Sequence, residues 1–257
     1  MKTLEKSNVT PKSDAAPART GESLITFHGD HEIQCRVIKQ LRSRSDDSEN
    51  LIRALLFDQS NEEMEPEGTI AEQLGLPSWL IHVIDCFLEP SEELPSGRFA
   101  VVELLERIPV GVTLPPELHD EFLIFWVTRM RDSVDGQVYP TIHNALNQVI
   151  ALLRRALAGH EPAASEWKGA LERSESARVA CATSCDACRK IITRAVEASC
   201  WACCRDIKHA VGYSLLTIGR APNAATDQLA VLQWLMDAMD AEAVEGLEGQ
   251  RRTLEQA

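Results

Sequence analysis

The chain is expected to fold as an all-α, multi-helix globular array, and three features of its sequence carry that expectation. Apolar residues recur three and four apart over most of the length, the spacing that gathers side chains on one face of a helix. Glycine and proline fall mainly between these periodic stretches, where helix stops and starts belong. Strand-like alternation is confined to the short "SLITF" at residues 23 to 27.

The elements follow in order. After "FHGD", Ile33, Val37, Ile38 and Leu41 form one apolar stripe, and Leu51, Ile52, Leu55 and Leu56 form a second. In "TIAEQLG", Thr69 and Glu72 have the form of a capping box, and Gly75 that of a helix stop. In "PSWLIHVIDCFLE", Ser78 is the expected N-cap; Trp79, Leu80, Val83, Ile84, Phe87 and Leu88 share one side, and His82, Asp85 and Glu89 the other. Residues 97 to 108 make a short helix that Pro109 ends. Pro115 and Pro116 suit the first turn of a helix that stacks Leu118, Phe122, Phe125 and Trp126. "DSVDGQVYP" is a loop, after which Thr141 caps a helix carrying Ile142, Leu146, Val149, Ile150, Leu153 and Leu157, stopped by Gly159.

From Pro162 to Gly219 there is no further proline, and the segment is rich in Ala, Arg, Glu and Cys. One unbroken helix there would span roughly 80 Å, too long for a single domain. It is expected to be a long bent helix or a helical hairpin. A break is expected near Thr183, Ser184 and Asp186, whose side chains compete for backbone hydrogen bonds. "RAPNAATDQ" interrupts the chain again before a last helix from about Ala225 to Ala243. The organisation expected is a disordered tail at 1–22, an N-terminal helical part at 23–110, a helical bundle at 111–245 and a frayed tail at 246–257. Residues 23–245 form one cooperative domain on this reading, of a size that buries a sizeable core.

Charge narrows the partners. With 39 acidic against 26 Lys and Arg residues the net charge is −13, and no basic stripe is present to displace the counterions of a nucleic acid. An anionic membrane surface is disfavoured for the same reason, and no apolar run is long enough to span a bilayer. No signal peptide is read before the first ordered segment, so a cytoplasmic location is expected, with a protein as the expected partner.

Six of the eight cysteines lie in "CATSCDACRKIITRAVEASCWACC", residues 181 to 204. Their helical spacing and the absence of an export signal favour reduced thiols over disulfides. Cys181, Cys185 and Cys188 have the C-x3-C-x2-C spacing of an iron–sulfur loop but lack the barrel strand that such a loop follows. Together with Cys200, Cys203 and Cys204 they could supply thiolates to Zn²⁺ or Cu(I), which requires a facing helix. The expectation is core packing without a cofactor. Cys181, Cys185, Cys188, Ile192, Val196, Cys200, Cys203, Ile207 and Val211 form a stripe along one helix, and free cysteine behaves as a small hydrophobe.

Two polar groupings remain. His31 and Cys35 share a helix face just after His28 and Asp30, which is zinc-ligand chemistry, although Asp30 is equally placed to cap the first helix. Asp85 and Glu89, with His82 before them, could do acid–base work or simply form a solvated face.

"FHGD", "EQLGLPSWL", the acidic pattern of "VIDCFLEPSEELP" and "IPVGVTL" occur in an order that resembles a family of uncharacterised bacterial and phage-encoded proteins. "EWKGALERSESARVACATSCDACRK" is similar to that family's alanine-rich helical region, and the likeness covers roughly residues 26 to 243. It implies a fold and a phage or mobile-element setting rather than a reaction. Matched by position, His28, Gly29, Asp30, Glu72, Asp85 and Glu89 are the polar-motif residues retained. Where relatives carry a Cys-rich "CAVGC"-like stretch, this chain has "FDQSNEEMEPEG". The function expected is that of a cytoplasmic protein-binding module. The alternatives are a small-molecule-binding or hydrolytic enzyme with a His28, Asp30, Glu72, Asp85 and Glu89 pocket, and a thiolate metal-binding bundle.

Overall fold

A computed structural model of the chain describes residues 24–43, 67–88, 97–180, 186–206, 210–211 and 224–256. Among them are nine α-helices and no strand, so the all-α expectation holds. A short turn at Thr26–Gly29 leads into α1 (His31–Ser43), followed by α2 (Glu67–Leu74), α3 (Ser78–Leu88) and α4 (Gly97–Arg107). Next come α5 (Glu117–Asp132), α6 (Pro140–Leu157), α7 (Ala164–Ala180), α8 (Asp186–Cys203) and α9 (Ala224–Gln256). "SLITF" contributes one isolated antiparallel bridge, Ile25 to Thr113. The 1–22 tail and the Leu51–Leu56 stripe lie outside the described residues.

The periodic faces close on one another as two groups of helices. In the first, α2 packs on α3 and both α1 and α3 pack on α4. In the second, α5 lies against α6 and α8, while α7 lies against α6 and α8. Helix α9 packs on α4 and also reaches α5 through Trp234. One hydrophobic core runs through both groups, from Phe27 to Met239. Its largest fully buried side chains are Trp126, Phe27 and Phe122, each worth about 1.5–3 kcal/mol in apolar surface removed from water. An aromatic ladder joins the groups. Trp79 of α3 stacks on Phe122 at 5.7 Å, Phe122 meets Trp234 edge-on at 5.4 Å, and Trp234 stacks on Phe125 at 5.4 Å.

Several polar groups inside the core are matched to partners. The Gln34 side-chain amide donates to the carbonyls of Leu105 (2.7 Å) and Ile108 (3.0 Å), covering groups that the end of α4 leaves without helical donors. Trp126 Nε1 donates to the Ala210 carbonyl at 3.1 Å. Asp227, in the first turn of α9, accepts from Arg129 Nε of α5 at 2.7 Å and from Arg194 Nη2 of α8 at 2.8 Å. A buried carboxylate of this kind is tolerable because both its oxygens face guanidinium groups.

Several boundaries differ from the sequence reading. Helix α2 begins at Glu67, so Thr69 lies inside it rather than capping it. The Pro77 carbonyl, one residue before Ser78, accepts from the amides of Leu80 and Ile81 and opens α3. Helix α6 begins at Pro140, which suits a position that needs no amide donor, and Thr141 sits in its first turn. Helix α9 continues past Gly246 to Gln256, through the segment expected to fray. The cysteine stripe is not one helix. Helices α7 and α8 are separate and packed together, with Ser174 hydrogen-bonded to Ser199 at 2.7 Å, and residues 181–185 between them lie outside the described residues.

Helix ends follow a common pattern. At Gly75 (φ 61°) the amides of Gly75 and Leu76 bond back to Glu72 and Ala71, and at Gly159 (φ 80°) those of Gly159 and His160 bond back to Ala156 and Arg155. Helix α8 ends in the same way on Arg205 (φ 53°), a residue with no glycine-like freedom. Glu161 holds its guanidinium at 2.9 Å, and the Trp167 ring lies beneath it at 5.4 Å.

Gly75 and Gly159 separate two costs. A Cβ on Gly75 would lie 2.0 Å from the Ile25 carbonyl oxygen, whereas one on Gly159 would meet nothing within 4 Å. Gly159→Ala should therefore cost only the left-handed backbone penalty, about 1–2 kcal/mol. Gly75→Ala should cost more than about 3 kcal/mol, because backbone must also move. Urea midpoints of the two variants measure the difference.

Candidate functional site

"FHGD" folds as a left-handed turn. Phe27 (φ 49°), His28 (φ 52°) and Gly29 (φ 73°) all have positive φ, and two of them carry side chains that disfavour it. Each such residue costs about 1–2 kcal/mol, so the turn must be held from outside. Phe27 is fully buried in the core. Thr26 bonds on every side: its amide donates to the Val112 carbonyl (2.8 Å), and its carbonyl accepts from the Gly111 amide (3.0 Å). Its hydroxyl donates to the Pro109 carbonyl and accepts from the Val112 amide.

Three motifs far apart in sequence meet here. The Gly75 of "EQLGLPSWL" gives way to the Ile25 carbonyl, and a Cβ on the Gly111 of "IPVGVTL" would lie 3.5 Å from the Gly29 Cα of "FHGD". The His28 Nε2 donates to the carbonyl of Gln73 (3.1 Å), the residue after Glu72. Asp30 caps α1, its Oδ1 accepting from the Glu32 amide at 2.7 Å. The resulting surface exposes His28, Gly29, Asp30, His31 and Glu32 on one segment, and Glu72 and Gln73 on the other.

Of the sequence-derived candidates, this arrangement draws His28, Asp30 and Glu72 to neighbouring segments. Asp85 is half-buried on α3, as is His82, and both have interaction partners; His28 and Asp30 bond to Gln73 and Glu32. Glu89 lies outside the described residues. Thr26, Gln73 and Gly111 were not singled out from the sequence. Their part in the turn depends on contacts across 45 to 86 residues, which no local pattern reveals.

The cysteines divide. Cys200 and Cys203 are buried in the core beside Val196 and Ala202, as the packing reading expects, Cys204 is half-buried, and Cys35 is exposed. Burial, then the neighbouring thiols of Cys200 and Cys204, push the Cys203 thiol well above its ordinary range. Burial, then the charges of Asp206 and Glu175, raise Cys204 to about 11. Cys181 and Cys185 lie outside the described residues, and Cys188 falls on α8. Among the described residues no three His, Cys, Asp or Glu side chains gather as a metal-binding group.

A cleft that the sequence does not disclose opens between α5, α6 and α9, with a volume of about 820 Å³. Phe125 and Trp234 line it, stacked with 20° between their planes, together with Leu157 and the charged residues Arg129, Arg154 and Glu121. The Thr128 hydroxyl beside them is buried without a hydrogen-bond partner. No described helix is long and apolar enough to cross a membrane. No protein-family model, curated protein or solved structure matches this chain.

The thiols supply a pH prediction. A thiol raised by folding stabilises the fold below the ordinary thiol range, and that contribution is lost as pH climbs through its folded value, about 11 for Cys204. Stability should therefore fall on the alkaline side, and Cys204→Ala should flatten that fall. At neutral pH, iodoacetamide should label Cys35 quickly and leave Cys200 and Cys203 unlabelled until denaturant is added. Mass spectrometry of the digested protein reads the sites.

Proposed function

We propose that this chain is a protein-binding module whose contact surface is the left-handed "FHGD" turn with the adjoining end of α2. One observation carries the reading. A histidine stands at φ 52°, where glycine or asparagine would sit more easily, and its side chain remains exposed. Strained backbone held by a rigid surround is typical of sites where a particular side chain must be displayed. Here the surround is a buried Phe27, a four-bonded Thr26 and two close glycine approaches.

The display is polar, with Asp30 and Glu72 beside the imidazole, in keeping with a chain of net charge −13. Such a surface favours a partner with complementary basic groups. The family likeness adds a phage or mobile-element setting, and the acidic composition and reduced thiols fit a cytoplasmic one.

Two substitutions test the reading without disturbing the fold. Asn caps a helix as well as Asp, so Asp30→Asn should melt within about 1 °C of the parent chain. His28→Gly removes the left-handed penalty along with the imidazole and should melt no lower than the parent. Both should weaken a partner, isolated with the parent chain and reconstituted from purified components, by about tenfold or more. Intact affinity in both variants would leave the turn a purely structural device.

A further inference from the structure

The cleft between α5, α6 and α9 lies outside the "FHGD" surface, and its lining has a chemistry of its own. Phe125 and Trp234 are stacked at 5.4 Å, but neither is closed over by the protein, since both remain half-buried at the cleft wall. Phe122, which touches both rings, is fully covered. An aromatic wall left partly open has surface available to a further flat apolar group. The volume, about 820 Å³, falls within the range of sites that enclose a small molecule.

At one end of the wall stands Arg129. Its Nε is held by Asp227 at 2.7 Å and its Nη2 by the Thr226 carbonyl at 3.2 Å, so the planar guanidinium is fixed at two of its three nitrogens. Nη1 is left uncommitted among the described residues, on a side chain that is 29% exposed. Asp227 is shared, because Arg194 also donates to it at 2.8 Å, and Arg129 therefore does not hold this counter-ion alone. Of the other carboxylates lining the cleft, Asp132 is paired to Arg131 at 2.7 Å. Glu121 lies eight residues before Arg129 on the same helix, about 12 Å along its axis. Arg129 and Glu121 thus mark opposite ends of the wall. Arg154 adds a second, exposed cation from α6, whereas the adjacent Arg155 is taken by Glu166 at 2.6 Å.

We infer that this cleft binds an aromatic carboxylate, its flat body against Phe125 and Trp234 and its carboxylate on Arg129. A guanidinium already held in place loses little freedom on accepting the anion, and charge-assisted bonds of this kind are the stronger class. The ring faces supply contact area but no directionality, so the carboxylate sets the orientation and Glu121 disfavours the reverse one.

The test uses the full chain with 2-naphthoate and indole-3-acetate as probes and their neutral amides as controls, followed by saturation-transfer NMR. At least one acid should bind at submillimolar concentration, with its amide about tenfold weaker or more. Trp234→Leu should weaken the acid by a similar factor while α9 stays docked, as read by an unchanged circular dichroism spectrum. Arg129→Lys should narrow the difference between acid and amide. Asp30→Asn should leave the affinity unchanged, which separates this site from the "FHGD" surface. No transfer to either acid at millimolar concentration, equal affinities for acid and amide, or undiminished binding by Trp234→Leu would overturn the assignment.

Discussion

The arrangement of this molecule depends on how Thr26 is held. Its amide, carbonyl and hydroxyl are all bonded to the stretch from Pro109 to Val112. Those bonds offset much of the cost of the two left-handed side-chain residues that follow and help to keep Phe27 in the core. The chain can pass this closely because Gly75 has no Cβ, which would lie 2.0 Å from the Ile25 carbonyl oxygen. A β-branched polar residue thus fixes where α1 begins, where α2 ends and how the connection from α4 to α5 passes beneath them.

The helical class and most of the core were legible because they rest on local periodicity. Val37, Ile38 and Leu41 are buried as their spacing implies, and so are Leu118, Phe122 and Trp126 in α5. Stops were legible where glycine supplies a positive φ, at Gly75 and Gly159. The stop at Arg205 was not, since its left-handed backbone is maintained by Glu161 and Trp167, residues about forty positions earlier. Starts were read less well than stops, because a bare carbonyl and a proline opened helices where Ser78 and Thr141 were the expected caps, and Thr69 falls inside its helix.

The candidate site shows the same division. The "FHGD", "EQLGLPSWL" and "IPVGVTL" motifs could be seen as words, but only the fold makes them one object, through two glycine approaches and the His28–Gln73 hydrogen bond. Asp85 was legible only as a position on the polar side of its helix, where it is half-buried. The cleft had no sequence signal at all. Phe125 and Trp234 each look like ordinary core positions in an amphipathic stretch, and only the docking of α9 leaves their paired rings half-covered.

The reach of the Thr26 bonds has a consequence for how the chain comes to be folded during synthesis. They join residues 83 to 86 positions apart, whereas the α5–α6 and α7–α8 pairs are neighbours joined by short connections. Contacts of such separation carry a large loop-closure cost and are made slowly, while adjacent helices pair early. On a ribosome the amino-terminal turn must wait until Val112 has emerged before it can take its left-handed form. A partner that recognises the turn would accordingly ignore nascent and truncated chains and report only on molecules whose first half has been completed.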